Sequence, residues 1–145
     1  MDPKIEMVFK SDYDEITSVW EASVRATHHF LSEEDIAGYR ELFPACFQSL
    51  ELYCIRQNNC IAGFIGIAHH KVEMLFIHPE ARGKGLGKQL MSYAIHDLQA
   101  RKVDVNEQNE QAAGFYLTFG FTVAGRSERD GLNKPYPLLH LKLPD

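Results

Sequence analysis

Apolar residues recur along this chain with two different periods, and each change of period marks the start of a new predicted element. Ile5, Met7 and Phe9 alternate with polar residues, so the first element is predicted to be a strand. The chain then changes to helical spacing, where Ser11 or Asp12 can cap a helix that ends near Thr27. The core-facing residues of this predicted helix are Ile16, Val19, Trp20 and Val24.

A second helix is predicted to begin at Ser32. The string Ser32-Glu33-Glu34-Asp35 is close to a capping box, with Asp in the place of the usual Glu or Gln. Apolar residues continue at helical spacing as far as Phe43, and Pro44 is expected to break or restart the helix.

Strands and helices alternate over the rest of the chain. A hairpin is predicted from the strands at 50–56 and 61–68, which flank Asn58-Asn59, with a turn at His69-His70-Lys71. The remaining predicted elements are strands at 72–78, 103–106, 121–127 and 138–143, and helices at 85–98 and 112–119, the last one stopped at Gly120. Hairpins imply antiparallel pairing, and the strand–helix–strand order around 85–98 implies one parallel crossover. The predicted fold class is therefore α/β (α+β), with a mixed, mostly antiparallel sheet.

The loop between the strand at 72–78 and the next helix is rich in glycine and in cations. Three glycines occupy alternate positions, among three basic residues: Gly83, Gly85 and Gly87, with Arg82, Lys84 and Lys88. Glycine lets backbone N–H groups approach a ligand closely, and a helix start adds unpaired N–H donors and a partial positive charge. The loop therefore predicts a phosphate or pyrophosphate site. An ordinary glycine-rich turn before a surface helix is the alternative.

Two motifs resemble one known family. The loop contains no P-loop string and lacks the spacing of the dinucleotide fingerprint, but it fits Arg/Gln-x-x-Gly-x-Gly as Arg82-Gly83-Lys84-Gly85-Leu86-Gly87. In this form it resembles the GNAT superfamily of acetyl-CoA-dependent N-acetyltransferases. A second motif similar to the family is Asn109-x-x-Ala112-x-x-Phe115-Tyr116, followed by Gly120-Phe121. The resemblance covers nearly the whole chain, and it implies the single-domain GNAT fold, a twisted sheet with helices on both faces.

The resemblance also implies where acetyl-CoA would bind. The strand residues Leu75, Phe76 and Ile77 would pair with the pantetheine arm, and Asn109 would contact the same arm. The pyrophosphate would lie on the main chain of Arg82, Gly83, Lys84, Gly85, Leu86, Gly87 and Lys88. Tyr116 matches the family tyrosine that can protonate the departing thiolate as a general acid. The alternative for Tyr116 is a core aromatic residue with a satisfied hydroxyl.

Candidates for the acceptor side come from separate parts of the chain. Glu73 is a candidate general base, because some members of the family use a strand glutamate; a solvated strand end is the alternative. His28 and Phe30 lie in the connection between the first two helices, which in this family borders the acceptor site, and a histidine pKa near 6.5 suits proton removal. Asn106, at the mouth of the parallel crossover, could bind the acceptor or cap the strand. Tyr136 is a further candidate for acceptor binding.

Composition and charge exclude several other classes of protein. The 145 residues are 45% hydrophobic and 24% charged, as in an ordinary globular domain, and the formal net charge of −5 argues against nucleic-acid and anionic-membrane partners. No run has the length of a membrane span, and the first nine residues lack the apolar core of a signal peptide. The three cysteines form no C-x-x-C, and His69-His70 lacks a third ligand at suitable spacing, so neither disulfides nor a metal site is expected.

The sequence therefore predicts one N-acetyltransferase domain over 1–145. It would transfer the acetyl group of acetyl-CoA directly to a primary amine in a ternary complex. Two alternatives remain open: a non-catalytic acyl-CoA-binding sensor with the same fold, and an acyltransferase that uses another acyl group or an acceptor other than an amine. The expected acceptor is a small-molecule or peptide amine, the expected location is the cytoplasm, and the expected state is a monomer or homodimer.

Overall fold

The computed structural model describes residues 4–131 and 133–144. Over these residues the chain forms one seven-stranded sheet and four α-helices, with two single-turn 3₁₀ helices. The strands are β1 (Lys4–Met7), β2 (Glu51–Gln57), β3 (Cys60–Ala68), β4 (Lys71–Ile77), β5 (Lys102–Asn106), β6 (Thr122–Ser127) and β7 (Leu138–Lys142). The helices are α1 (Tyr13–Thr27), α2 (Glu33–Gln48), α3 (Leu86–His96) and α4 (Glu110–Thr118).

The sheet has the predicted mixed topology. Its strands lie in the order β1-β2-β3-β4-β5-β7-β6, and every neighbouring pair is antiparallel except β4 with β5. Helix α3 makes the crossover between these two parallel strands. The parallel ladder is short, because Lys71 pairs with Lys102 and Val72 with Val103 and no pairs follow. Both strands continue beyond these pairs, so a gap opens in the middle of the sheet.

Helices cover both faces of the sheet, as the resemblance implies. Helices α1 and α2 bury Trp20 and Phe47 against Phe64 of β3 on one face. Helices α3 and α4 bury Leu90 and Tyr116 in a second cluster on the other face. The sheet therefore separates two apolar cores.

Several local signals work as predicted. The N–H of Asp35 donates to Ser32 Oγ at 3.0 Å, and the N–H of Ser32 donates to Asp35 Oδ2 at 3.4 Å, so the capping box forms. Asn58 and Asn59 both have positive φ, 56° and 66°, as a two-residue type I′ hairpin requires. Gly120, with φ of 96°, follows the end of α4.

Two predicted boundaries are wrong. Helix α2 continues through Pro44, because Phe43 and Phe47 on either side are 6% and 1% exposed and their burial offsets the lost backbone hydrogen bond. Strand β1 ends before Phe9, whose N–H donates to the Asp12 carboxylate instead of to a neighbouring strand. Met7 and Phe9 are 59% and 65% exposed, so the alternation near the start does not mark a core face.

Candidate active site

A β-bulge in β4 arranges the strand beside the gap. The register against β3 shifts at Glu73, which has no partner there. Beyond the bulge, the half-buried side chains of Leu75 and Ile77 pack against the core beneath α3 and α4, and that of Phe76 packs against the core beneath α1 and α2. The three predicted pantetheine residues therefore stand on the strand that borders the gap.

A cavity of about 960 Å³ passes through the sheet where β4 and β5 separate. Its wall contains Val24 and Phe43 from one core, and Leu86 and Tyr116 from the other. Over the described residues, backbone N–H and C=O groups along the unpaired part of β4 have no strand partner on the β5 side. An extended, narrow ligand can pair with them as a strand would.

The glycine loop forms a backbone cradle at one end of this cavity. Gly83 and Gly85 have φ of 78° and 76°, a conformation that side-chain-bearing residues rarely adopt, and Gly85 is the N-cap of α3. The next three N–H groups, on residues 86–88, have no acceptor within the helix. Leu86 is only 2% exposed, so it can offer a ligand its backbone alone.

Exposed cations surround the cradle. Arg82, Lys84 and Lys88 are all exposed, and Arg82 donates to Ser23 Oγ of α1 at 3.4 Å. This contact joins the cradle to the other face of the sheet. The cations, the free N–H groups and the positive end of the helix dipole together fit a pyrophosphate.

Tyr116 lies on α4 in the cavity wall, on the side of the sheet covered by α3. Its ring meets Phe115 and Phe121 edge-on, with centroid distances of 5.4 and 6.0 Å, and the residue is 6% exposed. Among the described residues its hydroxyl has no hydrogen-bond partner. Burial raises the pKa of Tyr116 above the usual value, so the phenol stays protonated and able to donate.

His28 and Asn109 meet across the cavity in a hydrogen-bond chain. Asn109 Oδ1 accepts from the N–H of Ala112 at 3.2 Å as the N-cap of α4, so its amide nitrogen faces His28 Nε2, 3.4 Å away. His28 Nδ1 lies 2.8 Å from Thr27 Oγ1, which itself donates to the carbonyl of Ser23. The sequence predicts Asn109 as a contact of the pantetheine arm and His28 as a neighbour of the acceptor, and in the structure these two side chains contact each other.

The protonation state of His28 agrees with this chain. Burial, with the nearby charge of Arg82, lowers the pKa of His28 to about 4. The ring is therefore neutral at pH 7, and Nε2 can accept the Asn109 amide hydrogen while Nδ1–H donates to Thr27.

Of the other predicted acceptor residues, one lies in the cavity wall and two lie outside it. Asn106 lies in the cavity wall, and its Oδ1 is buried without a hydrogen-bond partner among the described residues. The Phe30 ring stands between His28 and Tyr136, with centroid distances of 5.3 Å to each. Among these three stacked rings, only His28 is one of the described residues of the cavity wall; Phe30 and Tyr136 lie behind it.

A polar clamp that sequence analysis missed fastens the β6–β7 connection to α2. Tyr136 donates a short hydrogen bond to Asp35, Lys134 Nζ lies 3.3 Å from the same carboxylate, and Tyr39 donates to Asp130. The bond from Tyr136 holds the pKa of Asp35 below its usual range, and the same bond raises the pKa of Tyr136 to about 12. These partners are about a hundred residues apart in sequence, and no local sequence pattern predicts their pairing.

Charges divide the cavity into two ends. Lys71 Nζ lies 2.5 Å from Asp104 and 3.8 Å from Glu73; burial opposes its charge, but the Asp104 contact outweighs burial and raises the Lys71 pKa. The cradle end of the wall carries Arg82 and Lys88. The part of the wall formed by β4, β5 and the β6–β7 connection carries three carboxylates and one ammonium group: Glu73, Asp104, Asp130 and Lys71.

The described part of the chain shows neither a metal-binding cluster nor a membrane-spanning helix. Within residues 4–131 and 133–144 no three His, Cys, Asp or Glu side chains come together in a way that could hold a metal ion. None of the helices over the same residues has the length and apolar character needed to cross a bilayer.

Comparison with known proteins gives consistent results for sequence and structure. The family model of the acetyltransferase (GNAT) domain matches residues 15–133. The peptidyl-lysine N-acetyltransferase YjaB of Salmonella typhimurium is 40% identical over 132 residues, which are 90% of this chain and 91% of that protein. YjaB of Escherichia coli is 40% identical over 129 residues, 88% of each chain.

Solved structures show the same relationship. The solution structure of the apo form of Escherichia coli YjaB has a TM-score of 0.87 and 38% identity, and the match covers 98% of this chain and 97% of that one. The PaiA N-acetyltransferase of Thermoplasma acidophilum, solved with coenzyme A, shares the fold with a TM-score of 0.73 at 23% identity, over 98% and 99% of the two chains. The chain therefore belongs to the GNAT family and is an N-acetyltransferase.

Proposed function

We propose that this enzyme transfers the acetyl group of acetyl-CoA directly to the side-chain amine of a lysine in a peptide or protein. The charge division of the cavity carries the proposal. Its cradle end is cationic and suits a pyrophosphate, whereas the described wall of the far end carries the carboxylates Glu73, Asp104 and Asp130 together with the cation Lys71. A lysine ammonium group is attracted to such an end before it loses its proton. The similarity to peptidyl-lysine N-acetyltransferases at 40% identity supports the same acceptor.

On the cofactor side, the cradle of residues 82–88 would hold the pyrophosphate through backbone N–H groups, with Arg82, Lys84 and Lys88 adding charge. Leu75, Phe76 and Ile77 would pair with the pantetheine arm through their backbone. An N–H of this strand would also face the acetyl oxygen, where one such donor typically contributes about 2.7–4 kcal/mol. Acetyl-CoA itself supplies the activated thioester.

Tyr116 is proposed as the general acid. Its hydroxyl lies in a buried wall without a partner among the described residues, and its raised pKa keeps the proton in place until a thiolate accepts it. A departing thiolate is a stronger base than the thioester sulfur, so this hydrogen bond strengthens as the C–S bond breaks.

On the amine side, Glu73 is proposed as the general base, directly or through one water molecule. The bulge removes Glu73 from the β3 ladder, and its side chain is 38% exposed at the cavity wall. Asn106 is proposed to orient the acceptor, because its buried Oδ1 has no other donor among the described residues. His28 would help to enclose the acceptor; both of its ring nitrogens already have partners.

The proposed setting is a reducing cytoplasm. Cys46, Cys54 and Cys60 are all free thiols, and burial raises the pKa of Cys54 to about 11, so this thiol stays protonated at neutral pH. Thiols of this kind persist where the glutathione pool is reduced.

The test uses the purified enzyme, acetyl-CoA and a lysine peptide, with thiol release and peptide mass measured together. We expect thiol release to match acetylation of the lysine side chain, and the same peptide with arginine in place of lysine to be inert. Initial rates should give intersecting double-reciprocal lines, as a ternary complex requires. Acetyl-CoA binding without thiol release across a panel of amines would identify a sensor, and release independent of any amine would contradict the proposal.

A further inference from the structure

A second cluster of reactive side chains lies on three adjacent strands, and only its carboxylate reaches the cavity wall. Ser127 of β6 has its Oγ 2.6 Å from His140 Nε2, and His140 Nδ1 on β7 lies 2.7 Å from Asp104 Oδ1 on β5. The register places His140 opposite Asp104 on one side and opposite Gly125 on the other. The three side chains therefore form one connected row across the sheet.

The hydrogen-bond directions in this row follow from the acceptor at its end. An ionised carboxylate only accepts, so His140 Nδ1 carries the hydrogen that points to Asp104. In the neutral ring Nε2 then has a free lone pair, and the Ser127 hydroxyl donates to it. A hydroxyl that donates to an imidazole, itself oriented by a carboxylate, is the arrangement that activates a serine nucleophile.

The row is accessible at its serine end and supported at its carboxylate end. The His140 side chain is 36% exposed, and Ser127 is partly exposed on β6, which lies at the edge of the sheet. Asp104 is 18% exposed, and Lys71 Nζ holds its second oxygen at 2.5 Å. The base is thereby fixed in orientation while its partner hydroxyl can be reached from solvent.

We propose that Ser127, His140 and Asp104 form a second reactive site, which accepts acyl groups from small activated acyl esters and hydrolyses them. Ser127 Oγ bonds to the acyl carbon while His140 Nε2 takes the hydroxyl proton. The ester C–O bond breaks, and the alcohol leaves with that proton. Water then attacks the acyl-serine with the same base, which releases the carboxylic acid and restores Ser127.

This site shares only Asp104 with the wall of the cavity proposed for amine acetylation. Ser127 and His140 are not among the described residues of the cavity wall, and of the three only Asp104 reaches it. Ser127 reaches Asp104 only through His140, so Ser127→Ala should leave acetyl transfer from acetyl-CoA to a lysine peptide at its original rate.

The experiment incubates the folded enzyme with p-nitrophenyl acetate and quenches it with acid. Peptide mass mapping then gives the rate of acetylation at Ser127, and nitrophenol release gives turnover. The variants are Ser127→Ala and His140→Gln. The control is Ser18→Ala, because Ser18 is an exposed serine whose hydroxyl donates to the Asp14 carbonyl and has no histidine beside it.

We expect acetyl to appear on Ser127 in the original enzyme, and its rate to fall at least about 100-fold in His140→Gln, since a general base is typically worth about 10²–10⁴-fold. Ser18→Ala should change nothing. Labelling of Ser127 no faster than that of Ser18, or equal labelling in His140→Gln, would overturn the proposal and leave a structural ladder of polar side chains. The comparison of Ser127 with Ser18 needs only the original enzyme, so it tests the proposal even if a variant fails to fold.

Discussion

The two ends of the cavity are built in different ways. The cradle end comes from one short segment, residues 82–88, and offers mainly backbone N–H groups positioned by two glycines of positive φ and a helix start. The proposed acceptor end is assembled from the α1–α2 connection, β4, β5 and the β6–β7 connection, and it offers side chains. Asp35 contacts Tyr136 across 101 positions of sequence, and Tyr39 contacts Asp130 across 91.

This difference explains what each end can recognise. A backbone cradle depends little on side-chain identity, so it suits a cosubstrate that does not change. A side-chain surface held by a polar clamp can be altered by single substitutions without loss of the cradle. We therefore expect changes at the two ends to separate, with acetyl-CoA binding affected by one end and acceptor affinity by the other.

The largest effect is expected at the junction of the two ends, for Tyr116→Phe. Loss of a general acid should lower kcat by about 10²–10⁴-fold with little change in the KM for acetyl-CoA. Because burial raises the Tyr116 pKa, the alkaline fall of kcat that depends on this proton should begin above the ordinary tyrosine value and vanish in the variant. Steady-state kinetics from neutral to alkaline pH measure both.

Tyr93→Phe is the matched control, since Tyr93 of α3 packs against Tyr53 of β2 and is not among the described residues of the cavity wall. If Tyr116→Phe raises the KM for acetyl-CoA while kcat stays within a factor of about three, Tyr116 supplies ground-state binding instead.

The next effect concerns the hydrogen-bond chain between the two ends. His28 has a folded pKa of about 4 against 6.5 when unfolded, so the unfolded chain takes up the proton first as pH falls. The contribution of His28 to the free energy of unfolding should therefore be largest above pH 6.5, and it should decline by roughly 3 kcal/mol toward pH 4. Urea denaturation at pH 7 and pH 4 measures this, and His28→Gln should flatten the decline, while His29→Gln, at an exposed histidine, should not.

At the cradle end, Gly85→Leu should remove acetyl-CoA binding. Its side chain would project where nothing now lies within 4 Å, beside the free N–H groups of α3. The original enzyme should gain about 2.7 kcal/mol of stability at a hundredfold excess of acetyl-CoA over Kd, and the variant should gain none.

The control for backbone strain in that variant is Gly120→Leu. Gly120 also has positive φ, 96°, but lies past the end of α4, so both variants carry a strain of about 1–2 kcal/mol. Only Gly85→Leu should lose the ligand-induced shift in melting temperature. An equal loss in both variants would show that strain alone causes it.

The same contrast between the two ends governs what the sequence could predict. The cradle, the Tyr116 motif and the order of elements follow from local signals, namely glycine spacing, caps and hydrophobic periodicity. The clamp at Asp35 and the contact between His28 and Asn109 require side chains from distant segments to meet, and no local pattern encodes such meetings. The predicted helix break at Pro44 is wrong for a related reason. The tertiary packing of Phe43 and Phe47 outweighs the local tendency of proline to interrupt a helix.

The smallest effect, and the sharpest test of the separation, is expected for Asp35→Asn. The amide keeps the shape of the carboxylate but loses the negative charge that strengthens the hydrogen bond from Tyr136 and pairs with Lys134. The β6–β7 connection, which places Asp130 in the cavity wall, should then be held less firmly. We expect the KM for a lysine peptide to rise about tenfold, which corresponds to about 1.4 kcal/mol, with the KM for acetyl-CoA unchanged.

Glu33→Gln provides the control for Asp35→Asn, because it removes a carboxylate from the same turn of α2 without touching the clamp. Glu33 pairs with Arg25 at 2.7 Å and its side chain is 77% exposed, so solvent screens the pair and its loss should have little effect on stability. Its KM values should match those of the original enzyme. If Asp35→Asn raises both KM values equally, the clamp supports the cavity as a whole. The two ends would then be one cooperative unit, because a change in side chains at one end would have reached the backbone cradle at the other.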